Sequence, residues 1–264
     1  MADGADRYDW QWTDVEPRGA ARIMPSLIAV VVPAHNEQRR ISQSMRAIER
    51  AATHPLLRHC AVITVAVLDA CEDDTAPRLR MARARVPGPT LEVPYRNVGA
   101  SRRAGIDYVL RYARGLEPDE VWIATTDADT LVDRFWLARQ LEWWNRGAAA
   151  IAGTVRPYSP RNSVCRFARY SDHMNRLGMD FGHPHVHGAN MAFTAATYLE
   201  AGGIESLPTA EDHALWEAMR GTGRNVWAVG DVVVRTSARA QGRAPHGFAE
   251  FLQRFEAPLL DVAP

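Results

Sequence analysis

Short apolar runs alternate with stretches of helical period through the first half of this chain, and that alternation limits the possible folds more than any other feature. Leu27-Ile28-Ala29-Val30-Val31-Val32 reads as a buried strand, and after it Ile41, Met45, Ile48 and Ala52 fall on one helical face. The same order then repeats. A strand over 61–68 leads through a polar turn into a helix over 75–85, and 90–94 is a shorter strand. A further helix turns Ile106, Val109, Leu110 and Ala113 inward, and 121–126 is a buried strand ending on Asp127. Strands alternating with helices predict an α/β fold, with a Rossmann-like, mainly parallel sheet flanked by helices on both faces. The second half is less regular: strands at 149–155 and 189–194, helices at 163–177 and 211–220, and a strand pair over 226–234 broken at Gly230-Asp231. Residues 1–25 show no sustained period and read as an N-terminal arm without a catalytic role; 26–264 read as one domain.

Composition narrows the function classes. The chain has 264 residues, 47% of them hydrophobic and 23% charged, enough for one substantial core. Its 31 basic and 31 acidic residues balance, so it lacks the basic footprint of a nucleic-acid binder. Cys60, Cys71 and Cys165 form neither a disulfide framework nor a Cys-x-x-Cys pair, which fits a reducing compartment. The N-terminus has no signal-peptide pattern, and the longest apolar run, 27–33, is too short to span a bilayer. A cytoplasmic protein, at most peripheral to a membrane and without a transmembrane segment, is expected.

In open α/β sheets ligands bind beyond the carboxyl ends of the strands. Here those ends are acidic: the first strand runs into Pro33-Ala34-His35-Asn36-Glu37, the second into Asp69-Ala70-Cys71-Glu72-Asp73-Asp74, and the fourth into Asp127-Ala128-Asp129. The two carboxylates of an Asp-x-Asp triplet can hold a hard cation, Mg²⁺ or Mn²⁺, together with substrate phosphates. Any one of these acids read alone is better explained as a turn residue or helix cap, and Asp74 beside Thr75 reads as an N-cap. Their convergence from three strand ends favours a site. His183, His185 and His187 alternate as metal ligands on a strand would, but Pro184 and the missing carboxylate or cysteine make a polar loop the better reading. Arg235, Arg239 and Arg243 follow the last strand, where a diphosphate could be clamped. Trp143, Trp144 and Trp216 lie on helical segments, where core packing is the commoner use.

Taken in order, these segments resemble the inverting family 2 glycosyltransferases of GT-A fold. The likeness rests on 31–37 (Val-Val-Pro-Ala-His-Asn-Glu), 67–75 (Val-Leu-Asp-Ala-Cys-Glu-Asp-Asp-Thr), 97–105 (Asn-Val-Gly-Ala-Ser-Arg-Arg-Ala-Gly), Asp127-Ala128-Asp129 and Glu211-Asp212, and covers about residues 27 to 240. The resemblance implies a nucleotide-sugar-binding half over 26–130 and an acceptor-binding half over 131–264. It implies that Asp69 binds the nucleotide, with Pro33, His35 and Glu37 lining the same pocket and Arg102 or Arg103 close by. Asp127 would contact ribose or a metal-bound water, Asp129 would ligate the metal, and Asp212 would be the general base. His246 would add a metal ligand, and His187, Asn190 and Glu211 would face the acceptor. Two positions depart from the pattern: Leu68 stands where the family has the first of two aspartates, and the Arg103-Ala104 stretch lacks the usual Asn. No Gln-x-x-Arg-Trp motif is present, which argues against a processive synthase.

The expectation is therefore an inverting, metal-dependent, non-processive transferase. It would move a sugar from a UDP- or GDP-type donor to a small-molecule or lipid-linked acceptor, using Mg²⁺ or Mn²⁺; a homodimer is left open. The rivals are a non-catalytic sugar-nucleotide or carbohydrate-binding protein and a nucleotidyltransferase on a similar sheet. The second would need a Gly-rich phosphate loop with a lysine near the first strand, and none is present.

Overall fold

The computed structural model describes residues 24–82, 87–158, 186–205, 207 and 210–237. Eight strands form one sheet: β1 (Leu27–Ala34), β2 (Ala61–Asp69), β3 (Thr90–Val93), β4 (Val121–Thr125), β5 (Thr130–Val132), β6 (Ala150–Tyr158), β7 (Met191–Thr194) and β8 (Val226–Ser237). Their spatial order is β3-β2-β1-β4-β7-β6-β8-β5. Among the described residues the α-helices are α1 (Ile41–Ala52), α2 (Thr75–Ala82), α3 (Val98–Tyr112), α4 (Trp136–Asn145), α5 (Ala195–Glu200) and α6 (Glu211–Gly221).

β1 is buried along its whole length because both of its faces are covered. Ile28, Val30 and Val32 pack with Ile41, Met45 and Ile48 of α1 and with Trp136 and Leu137 of α4. Leu27, Ala29 and Val31 pack on the other face with Ile106 and Val109 of α3 and Leu215 and Met219 of α6. Each fully buried aliphatic side chain here contributes roughly 1.5–3 kcal/mol, so a charge at Val30 would remove one such term and add a desolvation cost. The expected helices on both faces are present. The predicted inward face of α3 holds at Ile106, Val109 and Ala113, while Leu110 is only partly buried.

The sheet is mainly parallel, as expected, with antiparallel strands in its second half. β3, β2, β1 and β4 run parallel. β7 is antiparallel to both β4 and β6, β8 is parallel to β6, and β5 is antiparallel to β8. These directions place the end of β6 at Tyr158 and the start of β7 on the same edge as the end of β4. The chain therefore re-enters the sheet downward from that edge, which sets β7 antiparallel to β4. Pro33 has no N–H to extend the β1–β4 ladder, and those strands part just past the Val31–Thr125 pair.

The strand pair expected over 226–234 is one continuous strand. Gly230 and Asp231 fall in a bulge, where the β6–β8 register jumps from Ala152–Ala228 to Thr154–Val233. The Asp231 carboxylate accepts from Trp143 Nε1 at 2.9 Å, so its polar side chain is used outside the ladder. β5 was not expected, being only three residues long. The expected helix over 163–177, most of the N-terminal arm, and His183, His185, Arg239, Arg243 and His246 lie outside the described residues. Trp143, Trp144 and Trp216 are core residues, as their helical placement suggests. No helix among the described residues is long and apolar enough to cross a membrane.

Candidate active site

The turn 126–129 projects from the end of β4 and is closed by Thr130 N–H donating to the Asp127 carbonyl at 3.0 Å. Asp129 is buried, and the side chain of Asp127 is 32% exposed. The ends of three other elements face this turn. Tyr158, closing β6, hydrogen-bonds Arg40 and lies in the fields of Asp129 and of Arg235 on β8. Burial pushes the Tyr158 phenol above its ordinary pKa, with Arg40 opposing and Asp129 reinforcing the shift. Arg40 and Tyr158 were not anticipated; the one signal for Arg40 was its place at the entry to the first helix.

The donor set at this turn is two carboxylates one residue apart, and no group of three His, Cys, Asp or Glu suited to a metal occurs among the described residues. Oxygen ligands of this number fit a hard divalent cation whose remaining positions are filled by water and phosphate. They do not fit a closed all-protein cage.

Arg102 joins this turn to the other side of the edge. Its guanidinium donates to Asp127 Oδ1 at 2.7 Å through one nitrogen and to Glu211 Oε1 at 2.5 Å through another. Burial would pull its pKa down, but the charges of Asp127, Glu211 and Asp212 outweigh this and hold it above the usual arginine range. Glycines make the room. A Cβ on Gly188 would lie 2.5 Å from Arg102 Cζ, and one on Gly99 would lie 2.7 Å from Glu211 Cγ. Asp212, in the first turn of α6, accepts from Gly188 N–H at 2.8 Å and from its own neighbour His213 N–H at 2.9 Å. The Asp127 turn and Asp212 thus sit on either side of one buried arginine.

Other candidates have different partners from those expected. Asp69 is buried and its carboxylate accepts from Arg96 N–H (2.6 Å), Asn97 N–H (2.8 Å) and Ser101 Oγ (2.8 Å), which ties the start of α3 to the end of β2. His35 packs over the same strand end and donates through Nδ1 to the Asp69 carbonyl at 2.6 Å. A carbonyl can only accept, so His35 Nε2 is left to accept from the Asn36 amide at 3.3 Å. Pro33 is buried within β1, and Glu37 is buried where its carbonyl accepts from Arg40 and Ile41 N–H at the start of α1. Thr75 N–H is capped by Asp73, not by Asp74, whose backbone carbonyl accepts from Arg78.

Three assignments are corrected. Asn190 is 1% exposed and cannot face an acceptor: its Oδ1 accepts from Trp136 Nε1 at 2.9 Å, and its Nδ2 donates to the carbonyls of Thr154 and Val232, both at 2.8 Å. It clasps the β8 bulge. Glu211 is likewise buried against Arg102 rather than turned to an acceptor. Of the two arginines considered, Arg102 joins the cluster, while the half-exposed Arg103 reaches the Ile204 carbonyl at 3.3 Å. His187 is half-buried at the entry to the 3-10 turn Gly188–Asn190, beside the residue that holds Asp212.

This fold and this edge define a GT-A class protein. A family model described as glycosyltransferase like family 2 matches residues 25–254, and the chain belongs to that family. A search of curated proteins finds no match. Among solved structures, the chain is similar to a mannosyltransferase of Pyrobaculum calidifontis in complex with GDP-Man and Mn²⁺, with 21% identity and a TM-score of 0.64 over 89% of this chain and 62% of that one. It is similar to TarS of S. aureus in complex with UDP-GlcNAc, with 13% identity and a TM-score of 0.60 over 86% of this chain and 64% of that one. It is also similar to glucosyl-3-phosphoglycerate synthase of Mycobacterium tuberculosis in complex with Mn²⁺, UDP and glucosyl-3-phosphoglycerate, with 16% identity and a TM-score of 0.50 over 82% of this chain and 73% of that one. The chain spans less than two thirds of the length of the first two.

Proposed function

We propose that this protein is a non-processive glycosyltransferase that moves a sugar from a nucleotide diphosphate donor to an acceptor hydroxyl with inversion. The observation that carries the reading is the opposition of two carboxylate groups across one edge. The Asp127–Asp129 turn stands on one side, and Asp212 stands on the other, fixed by Gly188 N–H. Family membership and structural neighbours solved with GDP-Man, UDP-GlcNAc or UDP support the donor class.

Asp127 and Asp129 would hold Mg²⁺ or Mn²⁺, which when bound neutralises charge on the departing diphosphate. The buried carboxylate of Asp129 and the half-open one of Asp127 offer it oxygen ligands. Arg40 and Arg235, which with Asp129 surround Tyr158, add positive charge where the phosphates would lie. Asp212 acts as general base. The acceptor O–H gives its proton to the Asp212 carboxylate, the oxygen attacks the anomeric carbon, and the bond from that carbon to the diphosphate oxygen breaks with its electron pair leaving on the diphosphate. Attack from the face opposite the leaving group inverts the anomeric centre. The two hydrogen bonds that Asp212 already accepts fix its orientation, and a carboxylate retains lone pairs for the incoming hydroxyl. General-base assistance of this kind contributes roughly 10²–10⁴-fold. The acceptor is small or lipid-linked; the equal numbers of basic and acidic residues do not suit nucleic acid.

Donor hydrolysis or transfer, followed with UDP- and GDP-sugars in Mn²⁺, tests the proposal. Asp129→Ala should abolish turnover and metal-dependent donor binding together, whereas Asp212→Asn should abolish transfer and leave donor binding intact. Wild-type rates in either variant would remove that residue from the mechanism.

A further inference from the structure

Arg102 has an arrangement that the transfer chemistry does not by itself call for. No other arginine among the described residues is buried, and its two bonded nitrogens reach carboxylates on different elements: Asp127 after β4 and Glu211 at the start of α6. The arm that carries it is anchored. Asp69 grips the preceding Ser101 hydroxyl together with the N–H groups of Arg96 and Asn97, so the first turn of α3 is fixed to the end of β2. Asn97 caps the same turn by accepting from Ala100 N–H at 2.8 Å. On one side the guanidinium lies against Gly188, and that residue's N–H is the donor that holds Asp212. Thr125 Oγ1 in turn donates to the Gly188 carbonyl at 2.7 Å, linking this segment to the end of β4. A planar fork can bridge two carboxylates at a set angle; a lysine ammonium, a point charge on a flexible stem, cannot.

We propose that Arg102 is a positioning residue: its guanidinium sets the separation between the Asp127–Asp129 turn and the start of α6, where Asp212 stands, and makes no contact with the donor. The two halves of the site come from separate parts of the chain, and the sheet alone does not connect them, because α6 is not a strand. Arg102 bridges them through side chains alone, beside the link that runs from Thr125 through Gly188 to Asp212. The inference rests on the functional reading above and would assign a role to a residue that the family resemblance places near the nucleotide.

Three variants separate positioning from donor contact and from simple charge compensation: Arg102→Lys, Arg102→Met, and the double variant Arg102→Met/Glu211→Gln, in which Glu211 no longer carries a buried charge. Each is measured for thermal midpoint, for calorimetric affinity for GDP-mannose and UDP-N-acetylglucosamine in Mn²⁺, and for kcat at saturating donor. In the lysine and double variants, donor affinity should stay within about threefold of wild type while kcat falls at least about tenfold. The double variant should recover part of the thermal midpoint lost in Arg102→Met without recovering kcat. Donor affinity that weakens in step with kcat/KM would overturn the proposal in favour of a direct donor contact. Wild-type kcat in the double variant would overturn it in favour of charge compensation for Glu211. Wild type is measured first: if it binds neither nucleotide sugar, the functional reading itself fails, and this inference fails with it.

Discussion

Replacing Gly188 by alanine probes the packing at the centre of the site with a single methyl group. The backbone at Gly188 is one that any residue can adopt, so the cost comes from contact alone. The added Cβ would lie 2.5 Å from both Cζ and Nη1 of Arg102 and 2.7 Å from Nη2. An ordinary contact needs about 3.5–4.0 Å, so the guanidinium must retreat by about 1 Å. It has little freedom to do so, because those nitrogens are bonded to Glu211 at 2.5 Å and to Asp127 at 2.7 Å. A shift of that size would carry at least one bond beyond useful hydrogen-bond range. Overpacking costs about 1–3 kcal/mol, and weakening a bond to a charged group adds up to about 1.5–3 kcal/mol. Since the two strains relieve each other in part, a net loss of roughly 2–4 kcal/mol is expected. For a chain of this size each kcal/mol lowers the midpoint by roughly 2–4 °C, so scanning calorimetry should record a fall of about 4–16 °C. Because both carboxylate groups shift with the arginine, kcat should fall by about 10²-fold at a temperature where the variant is folded. A midpoint within about 1 °C of wild type, with turnover unchanged within twofold, would refute the packing of Arg102 against Gly188.

Other perturbations give different signs. Asn190→Ala strips partners from Trp136 Nε1 and from the carbonyls of Thr154 and Val232 in a site 1% exposed, and should cost about 3–5 kcal/mol in urea unfolding. Arg103→Ala removes a half-exposed side chain with one long bond to the Ile204 carbonyl, and should change kcat/KM by less than about twofold and stability by about 0.5 kcal/mol. Burial pushes the Cys60 thiol up to about 11 against an opposing hydrogen bond from the Ile28 backbone, so at pH 8 mass spectrometry should find Cys60 alkylated far more slowly than a free thiol. The folded pKa lies above the unfolded value near 9.0, so this contribution to stability is present below about pH 9 and is lost as pH rises towards 11. Cys60→Ala should flatten that alkaline loss in urea midpoints measured across the window.

What could be read in the sequence followed from periodicity. β1, α1, β2, α3 and β4 were legible because each buries a face with a period of its own, as Val30 with Ile41 and Ile48 shows. β5 was not, because Thr130–Val132 is too short to show one, and its place is set by pairing with β8 a hundred residues later. The antiparallel direction of β7 was hidden for a different reason. Strand direction depends on which edge the chain re-enters from, and that is decided by residues outside the strand. In the site, residue type pointed to Asp127 and Asp129, and the family resemblance to Arg102 or Arg103 and to Asp212, but neither told which polar groups the fold consumes. Asp69, Asn190 and Glu211 have the chemistry of ligands, yet their partners are backbone N–H groups, carbonyls and an arginine brought from distant segments. Gly99 and Gly188 gave no periodic signal at all, since a glycine required by a neighbour's side chain is visible only once the neighbour is in place.

The most direct test of the central claim is calorimetric titration of the wild-type protein with GDP-mannose and UDP-N-acetylglucosamine, in Mn²⁺ and again after chelation. The account predicts that at least one nucleotide sugar binds in Mn²⁺ and that binding weakens by tenfold or more, about 1.4 kcal/mol, when the cation is withdrawn. Binding of equal strength with and without the metal would contradict the role given to Asp127 and Asp129, and no binding of either sugar would contradict the account as a whole.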